Sequence, residues 1–411
     1  MEIKAPRGTY DILPGQSLKW QYIERIIHNC ANNFGYQEIR TPIFEHTELF
    51  VRGVGESSDI VSKEMYTFSD RSNRSLTLRP EGTASCVRSL IDHKLYAGLL
   101  PVKMYYHGPM FRYDRPQAGR YRQFHQFGVE AFGSMSPYLD GEIIFLLIHI
   151  LKSLGLSNFE LHINSVGCPI CRSDYHAALR DFLVPFKDNL CGDCQIRLYK
   201  NPLRVLDCKK EGCQNTILGY PRLIDYLCSS CRDHYEQVQA ILKKNEVVFQ
   251  HDDKLVRGLD YYTNTAFEVL VADLGAQSAL GGGGRYNGLV SSCGGPDIPG
   301  IGFAIGLERL LMALDNSDVE ITGIEQNLVF VLAMGEHLED EAMRLVNELR
   351  IAGITAEKDY IGRSVKAQMK YADKIHARIV IFIGDEEAAG NYYTVKDMAD
   401  SRQLKVERDM I

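Results

Sequence analysis

The stretch VKMYYHGPMFRYDRPQAGRYRQFHQFGVEAFG, residues 102–133, decides the fold of the N-terminal part of the chain. Two runs rich in aromatic residues, 102–112 and 123–133, flank a polar segment, which predicts two long antiparallel strands joined by a loop. Alternation along the second strand places Gln126 and Glu130 on one face, with a glycine between them. Because glycine has no side chain, this face leaves room for a ligand between the amide and the carboxylate.

The predicted hairpin also carries a concentration of arginines. Arg112 ends the first strand, and the connecting loop contains Arg115, Arg120 and Arg122. Guanidinium groups bind phosphate oxygens in pairs and neutralise charge that develops during phosphoryl chemistry. Loop arginines are also commonly solvated, but the polar face of the adjoining strand favours a polyphosphate site.

Two further stretches combine polar residues with glycine near a predicted strand or turn. LTLRPEGTA, residues 76–84, contains Glu81 and Thr83 on either side of a glycine. LVRGLDYYTNTAFEV, residues 255–269, contains Arg257 and the pair Tyr261/Tyr262, and then continues as a strand. The first stretch alone fits any turn, so it gains weight only in combination with the hairpin.

Two glycine-rich stretches follow later in the chain. GGGGRYNGL, residues 281–289, contains Tyr286, and its glycines permit close backbone approach to a ligand or form a flexible loop. It lacks the lysine and hydroxyl residue that end a P-loop. GIGFAIGLERLLMAL, residues 300–314, predicts a strand feeding an amphipathic helix, with Glu308 and Arg309 in the first turn of that helix. An arginine at this position can point back over the strand into a nucleotide site.

Eight of the eleven cysteines form four close pairs within residues 168–231, which favours metal binding over disulfide bonding. Two intervening residues let both thiolates of a pair bind one tetrahedral ion, so we predict structural zinc rather than redox motifs, which rarely come four at a time. The first two pairs, with 19 residues between them, have a spacing usual for a four-cysteine site, but two sites can be assembled from four pairs in three ways. The predicted ligands are Cys168, Cys171, Cys191, Cys194, Cys208, Cys213, Cys228 and Cys231.

Composition limits the class of protein. The chain has 411 residues, 46 Lys and Arg against 53 Asp and Glu, and a formal charge of −7, which argues against a histone-like coating of nucleic acid. The longest apolar stretch, residues 143–151, falls far short of the roughly 20 residues that span a bilayer. The first residues contain no apolar segment of the secretory kind, so we expect a cytoplasmic protein without a membrane partner.

The length predicts two to three domains, at roughly 150 residues each. We place the first part of a catalytic domain at residues 1–165, an inserted cysteine-rich module at 166–245 and the second part of the catalytic domain at 246–322. Residues 325–411 alternate apolar strands with helices near 337–352 and 364–376, which predicts an α/β domain with a parallel sheet.

Taken together, the five stretches resemble the class II aminoacyl-tRNA synthetases, and specifically the histidyl-tRNA synthetase family. The family's first motif is resembled by RTPIFEHTELF, with Pro42, and its second motif by the hairpin. Its third motif is resembled by GIGFAIGLERLL. Two further stretches resemble ones peculiar to the histidyl enzymes, LVRGLDYYT and GGGGRYNGL. The resemblance implies an α+β fold: an antiparallel sheet flanked by helices, an inserted module and a C-terminal α/β anticodon-binding domain. It also implies a homodimer that joins L-histidine to tRNA(His), using ATP with Mg²⁺.

The resemblance assigns roles to individual side chains. Arg112 and Arg257 would be catalytic, holding the histidine carboxylate and the α-phosphate, and the ATP site would comprise Arg112, Arg120, Glu308 and Arg309. The ammonium group of histidine would meet Glu81, Thr83 and Gln126. A neutral imidazole has one donor and one acceptor nitrogen, so Glu130 would accept from the donor and Tyr262 would serve the other side. Tyr261 and Tyr286 would form the walls of this histidine site, which also includes Arg112 and Arg257.

Three expectations are less closely tied to these motifs. Lys366, Lys370 and Lys374 recur at every fourth position of a predicted helix, and this stripe would contact RNA or simply be solvated. Since the active-site stretches lie outside the cysteine-rich module, losing its zinc would affect tRNA charging more than adenylate formation. The alternatives to a histidine-specific enzyme are a catalytically silent paralogue, acting as a regulatory or sensor subunit, and a synthetase for another amino acid, which should lack Arg257 and the tyrosine pair.

Overall fold

The computed structural model describes residues 3–55, 58–256, 259–271, 279–317, 319 and 327–410. Arg257, which we predicted to be catalytic, lies outside the described residues together with Gly258. The chain divides into two compact units, residues 1–320 and 321–411. The finer division of the first unit around residues 166–245 stays a prediction.

A mixed sheet forms the centre of the first unit. Among the described residues it has eight strands in the order β1-β5-β6-β11-β10-β9-β7-β8. The six inner strands pair antiparallel, as expected, whereas each edge strand runs parallel to its neighbour. The strands are β1 Gln37–Glu38, β5 Val102–Phe111, β6 Gln123–Phe132, β7 Glu160–Ser165, β8 Gln250–His251, β9 Thr263–Leu270, β10 Ala279–Arg285 and β11 Gly300–Gly306. A smaller antiparallel sheet has the order β2-β4-β3, with β2 Phe44–His46, β3 Tyr66–Ser69 and β4 Ser75–Leu78.

The predicted hairpin forms as expected, with β5 and β6 paired along ten residues each. Phe127, Val129 and Ala131 are fully buried in a hydrophobic core that includes residues of α1 (Pro14–Asn33) and α4 (Pro137–Ser153). Because side chains alternate along a strand, the intervening polar residues of β6 face the other side of the sheet. The functional site is therefore on the sheet face opposite these two helices.

The glycine run at residues 281–284 lies in strand β10. Added β-carbons at Gly281 and Gly283 would contact the backbone of the neighbouring strand β11, so side chains at these two positions are excluded by close strand packing. The flexible-loop alternative is therefore wrong, and close backbone approach occurs between two strands of the same sheet.

The remaining helices of the first unit lie before, within and after the cysteine-rich stretch. The first cysteine of each CxxC pair occupies the N-cap position of a helix, and the second cysteine lies about one turn farther into that helix. The three N-cap residues are Cys168, Cys191 and Cys228. The helices are α2 Thr47–Val54, α3 Thr83–Asp92, α5 Pro169–Leu183, α6 Gly192–Lys200, α7 Leu203–Leu206, α8 Glu211–Thr216, α9 Ser229–Lys244, α10 Leu289–Ser292 and α11 Leu307–Asp315.

The second unit contains the predicted βαβ arrangement. Strand β12 pairs in parallel with both β13 and β14, and β15 and β16 extend the sheet antiparallel, in the order β13-β12-β14-β15-β16. Its elements are β12 Val329–Ala333, α12 Glu339–Ile351, β13 Ala356–Lys358, α13 Val365–Lys374, β14 Ile379–Ile383, α14 Asp385–Gly390, β15 Tyr392–Asp397 and β16 Gln403–Glu407. None of the helices in the described parts of either unit has the length and hydropathy that a membrane-crossing segment requires.

Candidate active site

One cavity of about 410 Å³ lies on the polar face of the central sheet. It brings together every described side chain that we predicted for the histidine and ATP sites. These residues are Glu81, Thr83, Arg112, Arg120, Gln126, Glu130, Tyr261, Tyr262, Tyr286, Glu308 and Arg309. They come from five separate stretches of sequence, so the sheet topology unites motifs that are up to 228 residues apart in the chain.

Glu130 is the most deeply buried carboxylate of the cavity. Its Oε1 accepts a hydrogen bond of 2.6 Å from the Thr83 hydroxyl, and its Oε2 accepts one from the Tyr286 hydroxyl. Burial is the largest cause that raises the pKa of Glu130 to about 8, and the neighbouring Glu81 carboxylate raises it further. Glu130 therefore changes protonation state near neutral pH, which suits a group that meets an imidazole.

Glu81 has a structural function that the sequence did not reveal. Its two carboxylate oxygens accept hydrogen bonds of 2.7 and 2.8 Å from the backbone N–H groups of Thr83 and Ala84, at the start of α3. A carboxylate at a helix N-terminus is stabilised by these donors and by the helix dipole. Burial nevertheless raises the pKa of Glu81. The side chain thus fixes the first turn of α3 and lies at the wall of the cavity.

The space above Gly128 is filled by protein, contrary to our expectation that it admits a ligand. Tyr106 lies directly across the hairpin from Gly128, and added β-carbons at Gly128 and Gly82 would both collide with the Tyr106 ring. The glycines therefore make room for this buried tyrosine, which lines the cavity beside Glu130. The cross-strand register of the predicted hairpin was the signal that could have identified Tyr106.

Gln126 offers a hydrogen-bond acceptor in the lining of the cavity. Its Oε1 is buried and has no hydrogen-bond partner within the described part of the chain. A buried carbonyl oxygen without a partner costs free energy of about 1–3 kcal/mol. A ligand N–H group in the cavity would remove this cost.

Cations gather at the loop end of the hairpin. Arg112 donates from Nε to the Pro80 carbonyl oxygen at 2.8 Å, and its guanidinium lies over the Phe124 ring. Arg120 pairs with Asp114 at 3.1 Å and is partly exposed. Burial lowers the pKa of both Arg112 and Arg309, but arginine stays charged in proteins. The cavity therefore has a cationic end at the loop and an acidic region farther along β6.

Glu308 uses its carboxylate within the protein. The backbone N–H of His125 donates to both of its oxygens at 2.9 Å, and the His125 ring lies 3.0 Å from Oε1. These contacts fasten the first turn of α11 to the start of β6. Since Arg309 is the next residue, these contacts also fix the helix turn that carries Arg309.

Several residues that line the cavity were not predicted from the sequence. Two come from the cysteine-rich stretch, Arg204 and Asp207, and two are carboxylates from elsewhere in the first unit, Glu64 and Glu268. Burial raises the pKa of Glu64, whereas the nearby Arg112 lowers it. No local pattern marks these four residues, because only the tertiary fold brings them to the cavity.

The cysteine pairs form two clusters in the described residues, one from the outer pairs and one from the inner pairs. Cys168 and Cys171 meet Cys228 and Cys231, while Cys191 and Cys194 meet Cys208 and Cys213. The usual spacing between the first two pairs, which suggested a shared site, is therefore misleading. The reason is that α5 separates these pairs, while the start of α9 returns to the start of α5.

Both clusters have the geometry of a four-thiolate site. The four sulfurs of each cluster lie within 4.8 Å of one another, and all eight cysteines are free thiols. A tetrahedron with zinc–sulfur bonds of about 2.3 Å has edges of about 3.8 Å. The Cys168–Cys171 and Cys191–Cys208 sulfur distances are 3.5 and 4.0 Å. Backbone N–H groups also donate to cysteine sulfurs in each cluster, as they do around bound thiolates.

Comparison with known proteins identifies the family and agrees with the fold. The family model described as histidyl-tRNA synthetase matches residues 8–169 and 222–310, and the anticodon binding domain model matches residues 328–411. The chain is 60% identical over 409 residues to a histidine–tRNA ligase of Syntrophomonas wolfei, covering 100% of this chain and 97% of that protein. It is 54% identical to the corresponding ligase of Desulforamulus reducens, covering 98% of this chain and 96% of the relative.

A solved structure agrees as well. The apo histidyl-tRNA synthetase of S. aureus is 45% identical, with a TM-score of 0.85, and the match covers 99% of this chain and 98% of that one. These matches confirm three predictions from the sequence: the family, the antiparallel core of the sheet and the C-terminal anticodon-binding domain. On these grounds the chain belongs to the histidyl-tRNA synthetase family.

Proposed function

We propose that this chain is a histidine–tRNA ligase that activates L-histidine with ATP and transfers the histidyl group to tRNA(His). The observation that carries the proposal is the composition of the cavity, which brings the arginines at the hairpin loop together with Glu130 and its tyrosines farther along β6. Family membership makes the two reactants histidine and ATP.

The first reaction needs no nucleophile from the protein. A carboxylate oxygen of histidine attacks the α-phosphorus of ATP, a new P–O bond forms, and pyrophosphate leaves with the electrons of the broken P–O bond. Positioning and stabilisation of negative charge are what the protein must supply. Arg112 would hold the α-phosphate and the histidine carboxylate, while Arg120 and Arg309 would hold the phosphate tail. Arg257 is proposed as the second catalytic cation from its sequence position alone.

The ATP substrate would arrive as its magnesium complex. The cavity carries the carboxylates of Glu64 and Glu268, the ligand type that Mg²⁺ prefers. Glu308 would contribute to the ATP site indirectly, because its carboxylate fixes the helix turn that carries Arg309. Magnesium would neutralise phosphate charge and leave the arginines to act on the reacting oxygens.

Histidine would be recognised at both of its ends. The unpartnered Oε1 of Gln126, the Glu81 carboxylate and the Thr83 hydroxyl would receive the ammonium group. Glu130 would accept from the imidazole N–H, since each of its oxygens has a second lone pair beside those used by Thr83 and Tyr286. Tyr262 would serve the other ring nitrogen, and Tyr261 and Tyr286, whose ring centroids lie 5.6 Å apart, would form the walls.

Transfer to tRNA would involve the second unit. In the second step a hydroxyl at the tRNA 3′ end attacks the carbonyl carbon of histidyl-adenylate, and AMP leaves. Lys366, Lys370 and Lys374 are exposed along α13, whereas Arg363 and Arg378 at its two ends pair with aspartates. This exposed stripe is the cationic surface that we propose for contact with the RNA backbone.

Two structural proposals accompany the activity. Each cysteine cluster would hold one structural Zn²⁺. The outer ion would join the starts of α5 and α9, and the inner ion would join the start of α6 to α8. The exposed Ile43, Phe44 and Phe68 on and beside the small sheet would be covered by a second copy in a homodimer. Unpaired thiols in eight closely spaced cysteines also favour the reducing cytoplasm as the location.

ATP–pyrophosphate exchange, measured with each amino acid in turn, tests the proposed activity. Exchange should depend on histidine and be at background with threonine, proline or glycine. A chain that binds histidine without exchange would instead be the silent regulatory paralogue. A different preferred amino acid would refute the assignment of the Glu130 pocket.

A further inference from the structure

A group of polar side chains connects the cysteine-rich stretch to two segments that border the cavity. Arg204 in α7 is only 7% exposed, and its Nη2 lies 3.2 Å from Asp59 Oδ2. Its Nη1 lies 3.9 Å from Asp260 Oδ1. Arg197 in α6 adds a hydrogen bond of 2.8 Å to Asp59, and Asn201 adds one of 3.0 Å to Asp260. We call these five residues the Arg204 clasp.

The two aspartates belong to segments that form walls of the cavity. Asp59, Ile60 and Glu64 line it on one side, and Asp260 immediately precedes Tyr261 and Tyr262. The segments also touch each other, because the Asp260 N–H donates to the Val54 carbonyl oxygen at 3.4 Å. An added β-carbon at Gly55 would lie 2.7 Å from Asp260 Oδ2, and its φ of +97° also favours glycine.

The clasp is fastened to the inner cysteine cluster. Cys191 and Cys194 stand at the start of α6, and Cys208 follows α7 by two residues. Residues 192–207 are therefore bounded at both ends by sulfurs of one cluster. A bound zinc ion would fix the two ends relative to each other, and with them the position of the guanidinium of Arg204.

We propose that Arg204 is a positioning residue for histidine activation, which holds the tyrosine wall and the Asp59 segment in place from the inner cysteine cluster. The inference rests on the proposed histidine–ATP chemistry of the cavity. A buried arginine between two carboxylates holds the segments that carry them in one arrangement, because both carboxylates lose their shared cation when the arginine is removed. It revises our expectation that the module matters mainly for tRNA charging, since the clasp and Asp207 reach the cavity where activation takes place.

The test compares full-length Arg204→Gln and Arg204→Lys with the wild-type chain in histidine-dependent ATP–pyrophosphate exchange. For Arg204→Gln we expect the KM for histidine to rise about tenfold or more and the KM for ATP to change less than threefold, because the tyrosines border the proposed histidine pocket. Arg204→Lys keeps one charge but lacks the fork that reaches two carboxylates, so its KM for histidine should lie in between. Arg222→Gln is the matched control, since this arginine of the same stretch is exposed and does not line the cavity.

Two further measurements separate positioning from general loss of structure. Arg204→Gln should retain the wild-type zinc content, whereas Cys208→Ser should lose one zinc ion per chain and show the same rise in the KM for histidine. Asp260→Asn combined with Arg204→Gln should raise that KM little beyond the larger single effect, because both changes break the same contact.

The proposal is overturned if a folded Arg204→Gln chain has a KM for histidine within twofold of wild type. It is equally overturned if the Arg204→Gln and Asp260→Asn effects multiply in full. If the wild-type chain itself shows no histidine-dependent exchange, then the proposed function has failed and not the clasp alone.

Discussion

Arg112→Gln is the substitution whose consequences the structure specifies most fully. The wild-type guanidinium is held in place by the Pro80 carbonyl oxygen and by the Phe124 ring, so it is preorganised for an anion in the cavity. Removing one preorganised contact to developing charge typically lowers the rate by about 10²–10³, or about 2.7–4 kcal/mol. We expect a loss of this size in the rate of histidine-dependent pyrophosphate exchange at saturating ATP and histidine.

The same substitution has a smaller structural cost. The Pro80 carbonyl oxygen loses its donor, which costs roughly 1–3 kcal/mol when no replacement forms. Arg112 also lowers the pKa of Glu64 and Glu81, so both carboxyls should become harder to ionise. Circular dichroism and thermal unfolding would separate this cost from the loss of rate.

Arg115→Gln provides the matched control for Arg112→Gln. Arg115 belongs to the same loop and carries the same charge, but it is exposed and does not line the cavity. Its exchange rate should stay near the wild-type value. A folded Arg112→Gln chain whose exchange rate is within threefold of wild type would refute the proposed role of Arg112.

Three other predictions concern the pH dependence of stability, the metal sites and the undescribed arginine. Burial raises the pKa of Glu130 from 4.5 to about 8, so wild-type stability should fall as pH rises between these values. The melting temperature of Glu130→Gln should therefore rise relative to that of wild type from pH 5 to pH 9. A difference in melting temperature that stays constant over this range would contradict the prediction. Metal analysis should find two zinc ions per chain, with one lost in Cys191→Ser and one in Cys228→Ser, whereas zinc-free wild-type protein prepared without chelator would disprove both sites. Arg257→Ala should reduce exchange by about 10²–10³ with a smaller change in the KM for ATP, and transfer from preformed adenylate should fall much less.

The sequence predicted the parts of the site that depend on local periodicity. A period of two along residues 123–133 correctly separated the cavity face from the core face, and the hairpin bounds were correct to within one residue at each end. The motif stretches also predicted which side chains share one cavity. These successes come from strands long enough to show their alternation and from stretches whose combination resembles one family.

Other features depended on long-range packing that local patterns do not encode. Equal CxxC spacing in three of the pairs could not show that Cys171 meets Cys228 and not Cys191. The role of Gly128 was misread, because the side chain that fills its space comes from Tyr106 on the facing strand. Arg204 reaches the cavity only through tertiary folding of the cysteine-rich stretch, so no motif marked it.

Aminoacylation of tRNA(His) by the full-length chain tests the central claim most directly. Labelled histidine, ATP and magnesium should yield acid-stable histidyl-tRNA and one AMP for each histidine transferred, and no product should form with labelled threonine, proline or glycine. Failure to acylate tRNA(His), with a folded protein that binds both histidine and the tRNA, would contradict the account and identify a binding protein built on a synthetase fold.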